Sequence, residues 1–258
     1  MNAEQPVPMV RTELAGNGIA EIIMNNPPVN ALPVAGWFDV ARRVDEAGAS
    51  PDVRAVILRA EGRGYNAGVD IKEIQRTEGF AALLGVNRGC YEAFKAIYEC
   101  SVPVIAAVHG FCLGGGIGLV GNSDVIIASE DATFGLPEVD RGALGAATHL
   151  SRLVPQHKMR AMVYTSATAT AAELHHFGSV HAVVPRDKLR ETALEFAEQI
   201  AAKDPLVIRR AKESLNGIDL WDVNRSYRYE QGFTFELNLA GAGDRARDAF
   251  VADGKHGS

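Results

Sequence analysis

Three consecutive glycines, Gly114, Gly115 and Gly116, follow the apolar run 102–108 and lead into Ile117-Gly118-Leu119, so bare backbone amides stand where a helix is expected to begin. A helix N-terminus with no side chains in the way attracts negative charge. The same glycines also match a dinucleotide fingerprint, Gly116-x-Gly118-x-x-Gly121. That reading needs a crossover helix around the last glycine, and the strand-like run 124–128 starts too soon to leave room for one. The amide of Gly115 reads instead as half of an oxyanion hole. The segment 62–73 supplies the other half: it follows the apolar, strand-like run 53–58, and the turn from strand to helix exposes the amide of Val69. Two such donors, held about 3 Å from one oxygen, stabilise an enolate or a tetrahedral oxyanion, and losing one costs roughly 3 to 4 kcal/mol. Each glycine cluster taken alone also reads as a tight turn.

The elements that must position these amides are legible as periodicity. Val34, Trp37, Ala41 and Val44 recur at helical spacing, with Asp39, Arg42, Arg43 and Glu46 opposite, which predicts an amphipathic helix packed on a sheet. Strand-like and helical runs alternate to about residue 130. Beyond Ser151 helical spacing dominates, at Leu189, Ala193, Phe196 and Ile200 and at Val207, Ile208, Ala211 and Leu215, with one short strand candidate at 180–184. The expected fold class is therefore α/β, with a core over residues 1–200 and a C-terminal helical region over 201–258 in the same functional unit.

Composition bounds the function. The 258 residues, 47% hydrophobic and 22% charged, can bury one full core. A net charge of −6 argues against nucleic acid as a partner, while a local positive rim could still hold an anionic ligand. Cys90, Cys100 and Cys112 lack metal-ligand spacing and read as reduced thiols. With neither an apolar signal core nor a bilayer-length apolar run, the chain is expected to be cytoplasmic, with no membrane partner. Order is expected from residue 8 to about 252, and mobility in the small, polar tail 253–258.

The run 19–31, then Asn66-Ala67-Gly68-Val69-Asp70-Ile71-Lys72-Glu73, then 105–116, then Phe134-Gly135-Leu136-Pro137-Glu138 resemble, in that order, the crotonase (enoyl-CoA hydratase/isomerase) superfamily. The resemblance implies a crotonase-like ββα superhelix whose C-terminal helices build a homotrimer, often paired into a dimer of trimers. It also implies an acyl-CoA substrate. The amides of Val69 and Gly115 would hold the thioester oxygen, and backbone at Asn66, Ala67 and Gly68 would contact the CoA adenine. No metal and no cofactor beyond the CoA of the substrate is implied.

Hydratases of this family carry two glutamates, and this chain departs from them. Gly118 stands where the first falls, two residues after the triple glycine; Glu138 matches the second. Hydration wants one carboxyl group to activate water and another to supply the proton, each worth roughly a hundredfold in rate. Gly118 is expected to clear volume beside the hole for a bulky or multi-ring acyl group. Glu138 becomes the principal acid/base candidate, with Asp140 as a second catalytic candidate. Asp140 and Arg141 read either as an exposed pair or as groups that orient water or a substrate carbonyl. His149 either reaches the site or is structural, and His109 reads as a packing position. His175, His176 and His181 have no carboxylate or cysteine at ligand spacing. Tyr227, Tyr229 and Glu230 lie on a C-terminal helix that in this family can close over the acyl pocket, or they pack in the core.

Within the family, the stretches 60–72, 114–124 and 134–150 look like hydrolases that open the CoA-linked bicyclic remnant of steroid rings C and D. That implies hydrolytic carbon-carbon cleavage with the thioester left intact. A delta-3, delta-2 enoyl-CoA isomerase, an enoyl-CoA hydratase and a non-catalytic CoA-binding paralogue stand as alternatives.

Overall fold

Strand β3 (Ala55–Ala60) sets the architecture, because its side chains alternate between two faces of a sheet and both faces are apolar. In a computed structural model describing residues 8–254, Val56 and Leu58 enter one hydrophobic cluster, and Ala55 and Ile57 enter another. The first cluster lies under α1 (Val34–Ala49) and α3 (Ala81–Glu99); the second lies under α8 (Leu189–Ala201). A sheet covered on both faces reads as near-continuous apolar sequence. The strands β2 (Ile19–Met24), β4 (Val104–Val108) and β6 (Val125–Ser129) do so.

With β1 (Val10–Gly16) and β9 (Ala182–Val184), these strands form a six-stranded sheet in the order β1-β2-β3-β4-β6-β9. Only β1 runs antiparallel to its neighbour. A smaller sheet holds β5 (Phe111–Leu113), β7 (Thr133–Gly135) and β8 (Thr168–Thr170), with β7 central, parallel to β5 and antiparallel to β8. β8 was not expected beyond Ser151, since three residues, two of them threonine, leave no periodic signal.

The short helices α2 (Ile71–Arg76), α4 (Gly115–Asn122) and α5 (Ala147–Leu150) sit at the ends of these strands, followed by α6 (Gln156–Thr165) and α7 (Ala171–His176). The segment judged too short for a helix before the 124–128 strand does hold one, the eight-residue α4. Its glycines fit because side chains of other elements fill the space beside them. The expected C-terminal helices are α9 (Pro205–Gly217), α10 (Val223–Leu239) and α11 (Ala242–Gly254). The Asp204 side chain caps α9, and Pro205 opens it, where a missing N–H costs nothing. Helix α10 packs on α3, α5 and α11. Asp253 and Gly254, expected in a mobile tail, belong to α11, and 255–258 lie outside the described residues. Among the described residues no helix is long and apolar enough to cross a membrane.

One charge interrupts the second apolar face. Glu21 on β2, 1% exposed, accepts hydrogen bonds from Arg59 on β3 and Arg190 on α8. Burial pushes its carboxyl up, and hydrogen bonds from Arg190 and Arg59 outweigh burial and hold it below the usual range. A carboxylate lowered in the fold stabilises the protein above its unfolded pKa, and that stability is lost as acid protonates it. Glu21→Ala, which strands Arg59, should cost about 3 kcal/mol, read as a lower urea midpoint at pH 7. The gap between variant and wild type should narrow as the pH falls.

Candidate active site

Leu32 fixes the first amide. Its N–H donates to Gly68 O and its carbonyl accepts from Asp70 N, both at 2.9 Å, in a parallel bridge with Val69. In such a bridge the central residue's own N–H points away from its partner, so Val69 N–H turns from Leu32. Gly115, the first residue of α4, has no intrahelical acceptor for its N–H. Gly68 adopts φ +90°, and a Cβ there would lie 3.3 Å from Gly115 N, so the two segments meet backbone to backbone. Neither Val69 N–H nor Gly115 N–H donates to an acceptor among the described residues.

Adjacent strands of the small sheet bring Glu138 to the same place. β5 ends at Leu113, just before Gly114, and β7 ends at Gly135, with Gly114 N donating to Gly135 O at 3.0 Å. The chain then turns through Leu136 and Pro137 to Glu138. A Cβ at position 114 would lie 2.8 Å from Glu138 Oε1, so glycine is required there by both its φ of +57° and the carboxyl group's approach. Glu138 Oε2 is buried without a hydrogen-bond partner among the described residues. Burial pushes this carboxyl up to about 8, the charge of Glu230 adds to the rise, and Arg141 opposes it.

These groups line one cavity of about 340 Å³. Ala67, Gly68, Val69, Gly114 and Gly115 form one wall, Ile74, Leu83, Val86 and Cys90 an apolar wall, and the 137–146 segment a third. Tyr227, Gln231 and Thr234 of α10 and Arg247 of α11 close it. The loop is tied to α10: Glu230 accepts from the N–H groups of Ala147 and Thr148, at 2.9 and 3.1 Å, and Leu144 N donates to Thr234 Oγ1 at 3.0 Å. Burial, with Glu138 nearby, pushes the Cys90 thiol up, which removes it as a nucleophile.

Three expectations change. Gly118 does not clear volume for the acyl group, because Phe94 of α3 fills that space: a Cβ on Gly118 would lie 2.0 Å from the ring. Phe94 packs there against His149 and Tyr227, with ring centroids 4.9 and 5.1 Å away. Asn66, expected at the CoA adenine, is fully buried behind the wall. Its N–H and carbonyl pair with Phe111 and Leu113, and its side chain accepts from Gly68 N at 2.8 Å and donates to Asn30 O at 2.6 Å. It shapes the loop, while Ala67 and Gly68 reach the cavity. Asp140 is exposed and outside the cavity lining, because the 3-10 turn Val139–Arg141 points it outward and Arg141 inward.

The histidines lie elsewhere. His149 is buried behind Phe94, with Nδ1 3.0 Å from Asn122 Nδ2; burial and then Arg152 push it down to about 3, so it is neutral at working pH. His109 Nε2 lies 3.1 Å from Gly62 O. His175 bonds Val180 O, and His176 and His181 stack on Phe177 and Phe196. Among the described residues no group of three or more His, Cys, Asp and Glu is placed to hold a metal ion. Tyr229 is exposed, whereas Tyr227 both lines the cavity and packs on Phe94. Arg247, Gln231 and Thr234 escaped sequence reading because no motif ties them to Glu138.

Because the Phe94 ring fills the space beside Gly118, Gly118→Glu should fail to accumulate as folded protein, and Gly118→Ala should lose about 3 kcal/mol to overpacking. Adding Phe94→Ala should restore much of the loss in Gly118→Ala, measured by thermal melts of single and double variants. Additive losses would show that the two positions do not compete for space.

A family model described as enoyl-CoA hydratase/isomerase matches residues 15–231. The chain is 71% identical over 234 residues to the (7aS)-7a-methyl-1,5-dioxo-2,3,5,6,7,7a-hexahydro-1H-indene-carboxyl-CoA hydrolase of Mycobacterium tuberculosis, covering 91% of this chain and 95% of that one. Identity to the protein of the same name from Rhodococcus jostii is 65% over 240 residues, covering 93% of each. Among solved structures, an enoyl-CoA hydratase/isomerase from Xanthobacter autotrophicus Py2 superposes with a TM-score of 0.86 at 29% identity, over 97% of this chain and 94% of that one. Together with the paired amides and Glu138, these matches show that the chain belongs to the enoyl-CoA hydratase/isomerase family.

Proposed function

We propose that this protein hydrolyses a ring carbon-carbon bond in a bicyclic diketo CoA thioester of the hexahydroindene type, opening the ring of a steroid-derived remnant. The observation that carries the reading is that, among the described residues, Glu138 is the one carboxyl group lining the cavity and stands beside two amides with no acceptor, with Phe94 filling the space beside Gly118, where a hydratase has its other glutamate. The identity of 71% to the hydrolase of Mycobacterium tuberculosis supports the same substrate class.

The chemistry needs only these groups. Ionised Glu138 takes a proton from water as its oxygen adds to the ring ketone. The adjacent carbon-carbon bond then breaks, and its electrons pass through the ring alkene to the thioester oxygen, where the amides of Val69 and Gly115 receive the charge. Glu138 returns the proton to carbon. Substrate and one water become a ring-opened carboxylate still joined to CoA, whose adenine the reading places at Ala67 and Gly68. A delta-3, delta-2 enoyl-CoA isomerase would also use one carboxyl group, so the products separate the readings. In oxygen-18 water the hydrolase yields a carboxylate one water heavier and carrying label, with CoA attached; an unchanged substrate mass would overturn the proposal.

The reading extends to a cytoplasmic homotrimer, or a dimer of trimers. Leu206, Leu215, Ile218 and Leu220 are 62–94% exposed on and after α9, an apolar surface that a monomer would leave in water. Light scattering should give a mass of three or six chains, and a monomer at micromolar concentration would refute this part.

Glu138 links activity to pH. It must be ionised to act as a base, so kcat/KM should rise as the pH approaches about 8 and then level off. Glu138→Gln should lower turnover at least about a hundredfold and leave CoA-ester affinity within a few-fold, as read by calorimetry. The stability sign is opposite to that of Glu21. A carboxyl group raised in the fold stabilises below its unfolded pKa, and this is lost as the pH rises through about 8. Glu138→Gln should therefore melt above wild type at pH 9, with a smaller difference at pH 5.

A further inference from the structure

The cavity contains a cationic edge that the proton transfers do not use. Arg247 of α11 lines it with a side chain only 9% exposed. Both of its hydrogen bonds leave through one nitrogen, with Nη2 donating to Asn238 Oδ1 at 2.7 Å and to Asp244 Oδ1 at 2.5 Å. Nε and Nη1 have no acceptor among the described residues. A guanidinium carries five donors in a planar fork, and donors that open onto a cavity lose their water, at a cost, when a ligand without an acceptor fills it. The open edge therefore calls for an oxygen ligand.

Neighbouring contacts hold that edge in place. Asn238, which receives Nη2, is itself anchored by donating to Thr234 O at 2.7 Å. Helix α11 begins against the turn that carries Arg141, since a Cβ on Gly142 would lie 2.7 Å from Ala242 O. Arg141 lines the same cavity, as do the polar side chains of Thr234 and Gln231.

We infer that Arg247, on a cavity that Arg141 also lines, is the recognition site for the oxygen at the end of the acyl group remote from the thioester. This rests on the ring-opening reading. That oxygen enters as a neutral ring ketone and leaves as one of two carboxylate oxygens, so hydrolysis adds a negative charge at that end of the ligand. The guanidinium edge binds the charged product more tightly than an uncharged analogue, and a planar fork matches a carboxylate in bidentate fashion. A straight-chain acyl group without a distal oxygen would displace water from these cavity-facing donors and leave them unpaired, which discriminates against it.

The test measures dissociation constants of three CoA esters by calorimetry: the ring-opened carboxylate, its methyl ester, and a saturated straight-chain acyl-CoA of similar length. Wild type should prefer the carboxylate to the methyl ester by about tenfold or more, and the preference should shrink as salt is raised. Arg247→Gln should abolish the preference and raise straight-chain affinity, because the penalty of unpaired donors goes with the guanidinium, and Arg247→Lys should keep part of the preference. Equal binding of carboxylate and methyl ester by wild type would overturn the inference without any variant. So would an equal loss of all three ligands in Arg247→Gln, the mark of a residue that only holds α11. Failure of the ring-opening reading would appear separately, as wild-type protein that does not turn over the bicyclic thioester.

Discussion

Two loops from opposite parts of the core meet at Gly68 and Gly115, where a Cβ on Gly68 would come within 3.3 Å of the facing amide nitrogen. Everything in the site depends on that approach. Two N–H groups can address one oxygen only if their backbones nearly touch, and backbones nearly touch only where side chains are absent. The surrounding structure exists to hold the loops there. Leu32 engages Gly68 and Asp70 on one side, Asn66 bridges its own loop to Asn30 and Gly68, and Trp37 packs under Gly115, where a Cβ would meet its ring at 2.5 Å. The aromatic ring is fixed in turn by its Nε1 donating to Leu32 O at 3.0 Å.

Exchanging a carboxylate for an aromatic ring changes the electrostatics as well as the shape. Trp37, Phe94, His149 and Tyr227 stack behind the cavity with centroid separations of 4.9 to 5.9 Å, and the imidazole among them is neutral at working pH. Burial of Glu138 penalises its ionised form by more than the charge of Arg141 relieves, and its affinity for protons rises. A single group can then serve as base and as acid in one cycle, a division of labour that hydratases make between two glutamates. The cost is a buried carboxyl oxygen with no hydrogen bond among the described residues, a local loss of stability of the kind functional sites tolerate.

The C-terminal helices complete the site rather than merely append to it. Glu230 caps the start of α5, Thr234 ties Leu144, and Arg247 faces the cavity from α11. The loop from Glu138 to Ala146 is thus held from both ends, by β7 before it and α10 over it.

The motifs were legible in the sequence where chemistry depends on local backbone. Gly114 to Gly116, the turn at Val69 and the Pro137-Glu138 corner announce themselves because glycine frees φ, proline fixes it, and each lies beside an apolar strand. The alternation of β2, β3, β4 and β6 with amphipathic helices likewise followed from periodicity alone. What sequence could not settle was which side chain fills which space. Gly118 read as an opening and is a socket for Phe94, 24 residues away in the chain. Asn66 read as a ligand contact and is a brace, and Asp140 and Arg141, adjacent in sequence, face opposite ways. Arg247, over a hundred residues from Glu138, carried no signal at all. Local geometry is written in a few neighbouring residues. Occupancy of a volume depends on every chain segment that reaches it, and only the packed tertiary structure decides that.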